Sequence, residues 1–311
     1  MPANIKRSIT DLVGSTPLLA LSNYEREFYL QAHIIAKLEY FNPNNSIKDR
    51  IALAMINDAE KRGLLKENFT LIETTSGNTG IALAAIAASR GYKFRTYIQD
   101  WVSIERTKII QAFGGEVIKF SEVEPYNTVM EETGGDFVAA TRALADKVLS
   151  KEQDIFFTNQ LENKINPEIH EQTTGPEIWR DTDGEIDILV AAVGTGGTIS
   201  GTGAYLRQKN PDIKIVAVQP GPGSIPTEEN PEPDEITGVH RFSDVLRERI
   251  PPPSICPFMM NPSTWKLTRR GPRRKRWQKP MEFWSERHRE PCCTPRRYWP
   301  GAPKMKGKIS S

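Results

Sequence analysis

Thr70-Leu71-Ile72-Glu73-Thr74-Thr75-Ser76-Gly77-Asn78-Thr79-Gly80 runs from a short apolar segment into a loop of small hydroxyl and amide residues, and an alanine-rich helical stretch follows near Ile81 to Arg90. The same build returns at Ile188-Leu189-Val190-Ala191-Ala192-Val193, which feeds Gly194-Thr195-Gly196-Gly197-Thr198 and a helical stretch to Lys209. A strand, a glycine-rich turn and a helix, repeated, make the unit of a parallel sheet. At a helix N-terminus the first N–H groups lack partners and the dipole is positive, so glycines there let backbone donors close on an anion. Each charge-assisted hydrogen bond contributes roughly 1.5–3 kcal/mol, so about four or five such donors hold a phosphate without a Lys or Arg. Either loop alone serves equally well as an ordinary capped turn. Together they point to an anion site.

Outward from these loops the alternation continues. HIIAKLE (His33 to Glu39) reads as a strand, and Ile51, Leu53, Met55, Ile56 and Ala59 as a helix stopped by Gly63. Next come a strand at Lys93 to Gln99, a helix from Ser103 to about Phe113, and a strand at Glu116 to Phe120. After a polar loop, a helix from Asp136 to Leu149 leads to a strand at Asp154 to Thr158, a helix beginning near Pro167 and a last strand at Lys214 to Gln219. The pattern predicts an α/β fold with mostly parallel sheets and ligands at the carboxyl ends of the strands. Two domains are expected, residues 1–152 and 153–250, with the first strand region of the former able to pack with the latter.

Other chemistries find less support. A dinucleotide fingerprint needs a sixth-position glycine, where Ile199 stands, and an acid after the next strand, where Gln219-Pro220 stands. No G-x-x-x-x-G-K-[ST] loop occurs. Cys256, Cys292 and Cys293 lack metal or redox spacing, and His33, His170, His240 and His288 form no ligand pair, so no metal site is expected and the histidines read as ordinary surface or core residues. Neither a signal-peptide core nor a run of roughly 20 apolar residues occurs, which reads as a soluble, cytoplasmic protein without membrane contact.

Lys48 lies in Asn42-Pro43-Asn44-Asn45-Ser46-Ile47-Lys48-Asp49-Arg50, a turn-forming run that opens a helix, where a lysine by itself is usually a solvated surface group. This run, the Thr75–Gly80 loop and the Gly194–Thr198 loop, in that order, resemble the cysteine synthase (O-acetylserine sulfhydrylase) family of fold type II pyridoxal phosphate enzymes. Matching pieces include Gly14-Ser15-Thr16-Pro17-Leu18, Lys37-Leu38-Glu39, Ser103-Ile104-Glu105-Arg106, Asn166-Pro167 and Thr173-Thr174-Gly175-Pro176-Glu177-Ile178, so the likeness covers about residues 10–250. It implies two three-layer α/β domains of the tryptophan synthase β type, a homodimer, and pyridoxal 5'-phosphate as cofactor.

By that resemblance Lys48 holds the cofactor as a Schiff base and then acts as base toward the substrate α-proton. Asn78 would meet the ring hydroxyl, and Gly194, Thr195, Gly196, Gly197 and Thr198 the phosphate. Thr75, Ser76, Gly77, Thr79 and Gln160 would clasp the substrate carboxylate, with Gly238 also lining the substrate site. The implied reaction replaces the acetate of O-acetylserine with sulfide to give cysteine, or with thiosulfate to give S-sulfocysteine. Gly223-Ser224-Ile225-Pro226 and Ile236–Phe242 look more like the B branch, whereas Gly196-Gly197 looks more like the A branch. Cystathionine β-synthase and other lyases share the fold and stay open.

The likeness stops near Pro253, without the Ser-Ser-Gly-Ala-like motif whose serine meets the pyridine nitrogen in the family. Residues 251–311 carry 15 Lys and Arg against Glu282, Glu286 and Glu290, with 11 of the 23 prolines and four of the six tryptophans. Such an abrupt change of character fits out-of-frame translation, which the gene sequence across codons 245 to 311 tests. A basic run such as Arg269-Arg270-Gly271-Pro272-Arg273-Arg274-Lys275-Arg276-Trp277 also suits nucleic-acid backbones, the lesser reading of the tail. A catalytically impaired relative that binds cofactor ranks after the working enzyme and ahead of a nucleic-acid-binding protein.

Overall fold

The computed structural model describes residues 5–75, 77–100, 102–123, 126–132, 137–221, 239, 267–269 and 275–277. Met1–Pro262 forms one compact unit and Ser263–Ser311 a second. Within the second, the strands Leu267–Arg269 and Lys275–Trp277 pair antiparallel.

The first unit begins with strand β1 (Leu18–Ala20), helix α1 (Ser22–Glu27) and strand β2 (Ile35–Lys37). β1 and β2 pair antiparallel, Leu18 opposite Lys37, so the first strand region makes a ribbon and not a parallel strand. The expected seven-residue strand shrinks to three because Glu39 is already turned into a 3₁₀ segment, where its carboxylate meets Arg50. Helix α2 (Lys48–Lys61) buries Ile51, Ala52, Met55, Ile56 and Ala59, one stripe at helical spacing.

Strand β3 (Thr70–Thr74) shows how the sequence makes layers. Successive strand residues face opposite sides. Leu71 packs with α2, with α3 (Asn78–Arg90) and with Phe94 and Ile110. Its neighbour Ile72 packs on the other side with Tyr97, Phe120, Ala140, Leu144 and Val148. β3 is therefore a central strand covered on both faces. It pairs parallel with β4 (Lys93–Ile98) and β6 (Ile155–Phe157), while β4 pairs with β5 (Glu116–Lys119), giving the order β5-β4-β3-β6.

α4 (Ile104–Ala112) lies between β4 and β5 in the chain. The stretch after Phe120, expected as a polar loop, contains a helix α5 (Tyr126–Glu132) that packs on α6 (Phe137–Lys151); Val129 and Met130 join the core on the Ile72 side. β6 lies past the expected boundary at residue 152, and through Thr70 opposite Ile155 it belongs to the first sheet.

Beyond it, α7 (Ile165–Ile169) continues through a π-helical turn, His170–Thr174, into α8 (Gly175–Asp181). Strand β7 (Ile188–Ala192), helix α9 (Gly197–Lys209) and strand β8 (Lys214–Val218) form one parallel crossover. Leu189, Ala191, Val193, Ile215 and Ala217 meet Ile178, Ile199 and Leu206 of α8 and α9. Ile188 and Val190 on the opposite face stay 43% and 57% exposed. Around this second sheet the described residues cover one face, whereas the first sheet has helices on both. No helix among the described residues is long and apolar enough to cross a membrane.

A buried charge cluster joins the early chain to α8. Arg50, 2% exposed, donates to both oxygens of Glu39 at 2.8 and 2.9 Å and to both oxygens of Glu177 at 2.7 Å each. Lys37 reaches Glu177 at 2.9 Å and the Thr16 carbonyl at 2.8 Å. Two cations meet two carboxylates, so the burial is neutral overall. Burial alone pushes the Glu177 carboxyl up, but hydrogen bonds from Arg50, Lys37 and the Ser15 N–H outweigh it and bring the group to about 2.

Two stability tests follow. Glu177 ionises more readily folded than unfolded, so its contribution is complete above pH 4.5 and fades as pH falls toward about 2. Glu177→Gln should lower stability at neutral pH and flatten the acid-side decline in urea titrations. At Gly201, an added Cβ would stand 1.9 Å from the Pro167 carbonyl oxygen, so α7 and α9 must part. Gly201→Ala should cost about 3 kcal/mol, read as a lowered thermal midpoint with unchanged far-UV dichroism.

Candidate active site

Lys48 is the first residue of α2, and the chain around it is tied down locally. Asp49, fully buried, accepts from the Asn44 backbone at 2.7 Å and from its side chain at 3.1 Å, closing the turn before the helix. The Ser46 hydroxyl accepts from the Lys48 N–H at 3.2 Å. Lys48 itself keeps partial solvent access, yet desolvation lowers its ammonium from 10.5 to about 8. Burial of the side chain in a low-dielectric setting disfavours the charged ammonium, so the amine is more readily neutral than a surface lysine.

The β3–α3 loop brings together most of the residues proposed to clasp substrate. Thr75, Gly77 and Thr79 are buried, while Asn78 is exposed, the single such position among the described residues of 71–80. Arg106 of α4 covers Gly77, where an added Cβ would stand 3.3 Å from the guanidinium. Gln160 comes to the same loop from beyond β6, accepting from the Thr79 hydroxyl at 2.6 Å. All four of its polar groups have partners: its N–H donates to Glu73 at 2.9 Å, its amide to the Thr74 carbonyl at 3.5 Å, and its carbonyl accepts from Asn166 at 2.9 Å. Gln160 is a strut of the loop in this state. Ser76 and Gly238 lie outside the described residues, as do Gly223–Pro226 and the segment from 240 onward apart from the two short strands.

The β7–α9 loop forms the second half. Gly196, at φ 82°, adopts the left-handed conformation that caps α9. Gly197 has no room for a side chain, since a Cβ would stand 1.9 Å from Asn166 Oδ1. The first intrahelical bond is Ser200 N–H to the Gly196 carbonyl, which leaves the preceding amides free of helical acceptors. Thr195 and Thr198 add hydroxyls at the same end, and both keep partial solvent access. Neutral N–H and O–H donors at a helix N-terminus suit an anion, and a desolvated primary amine suits an aldehyde, so the two halves fit the two ends of pyridoxal phosphate.

Three residues that sequence reasoning left aside hold this arrangement. His170, in the π-helical turn, places Nδ1 2.9 Å from the Thr174 hydroxyl and Nε2 3.2 Å from that of Thr198. Burial, with the charges of Lys48 and Arg50, holds it neutral at about 3. It was expected as an ordinary histidine, yet it reports Lys48 and Thr198 as neighbours of one group. Glu73, fully buried, accepts from Thr158 Oγ1 at 2.6 Å and from the Thr74 and Gln160 N–H groups; burial outweighs these bonds and raises its carboxyl to about 7. Asn166 spans the two loops. Its spacing of four from His170 on one helix face was the available signal.

Residues 9–262 match the family model described as "Pyridoxal-phosphate dependent enzyme". The cysteine synthase of Staphylococcus aureus is 39% identical over 233 residues, 75% of this chain and 70% of that protein. Cysteine synthase A of Escherichia coli is 43% identical over 210 residues, 67% of this chain and 60% of that protein. The crystal structure of O-ureido-L-serine synthase superposes with a TM-score of 0.65 at 35% identity, over 84% of this chain and 77% of that one. With a desolvated lysine, two glycine-rich helix starts and a family match over most of its length, the chain belongs to the pyridoxal-phosphate dependent enzymes of fold type II, in the cysteine synthase (O-acetylserine sulfhydrylase) family.

Proposed function

We propose that this chain catalyses β-replacement on a serine-derived amino acid, with O-acetylserine and sulfide giving cysteine and acetate, or thiosulfate giving S-sulfocysteine. The observation that carries the reading is the Lys48 amine at the start of α2, brought to about 8 by desolvation, in a chain whose α3 and α9 also open on glycine-rich, anion-suited loops. Pyridoxal phosphate, when bound, supplies the electron sink that makes an amino acid's α-proton removable. Lys48 holds the cofactor and moves that proton at Nζ, a task for which an amine near 8 is suited at neutral pH. Gly194, Thr195, Gly196, Gly197 and Thr198 hold the phosphate, and the exposed Asn78 meets the ring hydroxyl. Thr75, Ser76, Gly77 and Thr79 bind the substrate carboxylate, with Gln160 bracing Thr79 at 2.6 Å and Gly238 closing the site.

Two further readings have observations behind them. The likeness to O-ureido-L-serine synthase favours a different group joined to the serine β-carbon. The end of the family match at residue 262 favours a chain that binds cofactor but turns over weakly. A homodimer is part of the proposal, as is a cytoplasmic setting.

Purified full chain supplied with pyridoxal phosphate should colour yellow and yield a borohydride-trapped adduct on Lys48, whereas Lys48→Ala should do neither. Adduct formation should accelerate as pH rises through about 8, because the unprotonated Lys48 amine is the nucleophile. Mass spectrometry after O-acetylserine and sulfide should find cysteine and acetate. Adduct without product would support weak turnover, and neither adduct nor product would overturn the assignment.

A further inference from the structure

The phosphate loop and the substrate loop are joined through one buried side chain. Asn166, 3% exposed, donates from Nδ2 to the Gln160 carbonyl and to Thr195 Oγ1, both at 2.9 Å. A carbonyl oxygen only accepts, so the amide must present its nitrogen there, and the opposite flip would set two oxygens against each other. The same nitrogen then necessarily donates to Thr195. That hydroxyl oxygen also receives the Gly197 N–H at 3.4 Å. A threonine hydroxyl has two lone pairs and one proton. With both lone pairs engaged, its proton is the one group left to point elsewhere.

Asn166 Oδ1 has no partner and lies against Gly197, filling the place of a side chain. An unpartnered buried acceptor carries a desolvation cost that the side chain's two donated bonds offset. Gln160, which orients Asn166, is itself held by Glu73 through its N–H and by Thr79 through its side chain. Asn166 therefore donates outward to both sides, to the Gln160 carbonyl and to the Thr195 hydroxyl oxygen.

We propose that Asn166 is a positioning residue which, oriented by the Gln160 carbonyl, turns the Thr195 hydroxyl proton toward the bound anion and so couples the phosphate loop to the substrate loop. The proposal rests on the cofactor reading above. It excludes any direct contact of Asn166 with substrate as the source of its effect.

The test is a double-mutant cycle on the full chain, with Asn166→Ala, Thr195→Val and the pair, read as the dissociation constant for pyridoxal phosphate by absorbance titration. Each single change should weaken binding about tenfold, and the pair no more than either, because both remove one charge-assisted hydrogen bond. Asn166→Asp keeps the shape but cannot donate, so it should weaken binding at least as much and shift the ³¹P resonance of the bound phosphate. Should Asn166→Ala not fold, as judged by far-UV dichroism and thermal melting, Asn166→Asp takes its place in the cycle. Effects that multiply to about a hundredfold, or an Asn166→Asp chain that binds like the parent, would overturn the coupling while leaving the cofactor assignment intact. A parent chain that takes up no cofactor would remove both.

Discussion

Arg50 and its two carboxylate partners are the constraint on which the site depends. A guanidinium buried to 2% exposure needs its donors satisfied in a fixed planar geometry, and Glu39 and Glu177 supply this with two oxygens each. Glu39 comes from just beyond the N-terminal ribbon, Glu177 from α8, and Lys37 closes the charge balance. The start of α2 is thereby held against the α7–α8 segment. Lys48 lies two residues before Arg50 on that helix, so its amine and the π-helical turn bearing His170 share one anchor. Loss of any member would leave an uncompensated buried charge, which is why the cluster resists change in a way that surface ion pairs such as Arg62–Asp58 do not.

On this frame the site is assembled from helix starts. α2 contributes its first residue, α3 its first residue, and α9 the glycine turn before it. Each follows a strand or tight turn, so the polar loops collect where backbone N–H groups are unpaired. The π-helical turn at His170–Thr174 adds a residue to the register between α7 and α8. It sends His170 toward Thr198 and Thr173 toward Arg50, at 3.2 Å in both cases. Irregular helix of this kind recurs at functional sites because it re-aims side chains without breaking the rod.

The ionisable groups of the site have been divided by their surroundings. Lys48 and His170 are both driven toward neutrality by burial, and the lysine charge presses further on the histidine. Glu73 is driven the same way, although four hydrogen bonds from Thr158, Gln160 and Thr74 oppose it. Burial thus brings the lysine and the carboxyl closer to neutral pH while it keeps the imidazole neutral. Helix-start amides and threonine hydroxyls are neutral donors of the kind that suit an anion.

The chain's order of residues was sufficient for the strand-and-helix alternation, the parallel sheet and the two glycine loops, because periodicity and turn chemistry are local. It was also sufficient for Lys48, Asn78 and the Gly194–Thr198 run as candidates, since these lie in contiguous motifs. It did not reveal the antiparallel β1–β2 ribbon, the helix at Tyr126–Glu132, or the inclusion of β6 in the first sheet; strand partnership and marginal helices are decided by what packs on them. The bracing roles of Asn166, His170 and Glu73 were equally hidden, as were the partners of Gln160, which the family resemblance had named only as a substrate residue. Their partners stand 29, 28, 85 and 81 positions away, and hydrogen bonds across such separations exist only once the layers have closed. Local order named the candidate groups; tertiary contact decided which hydrogen-bond partners they meet, because partnership is a property of the assembled network and not of any one residue.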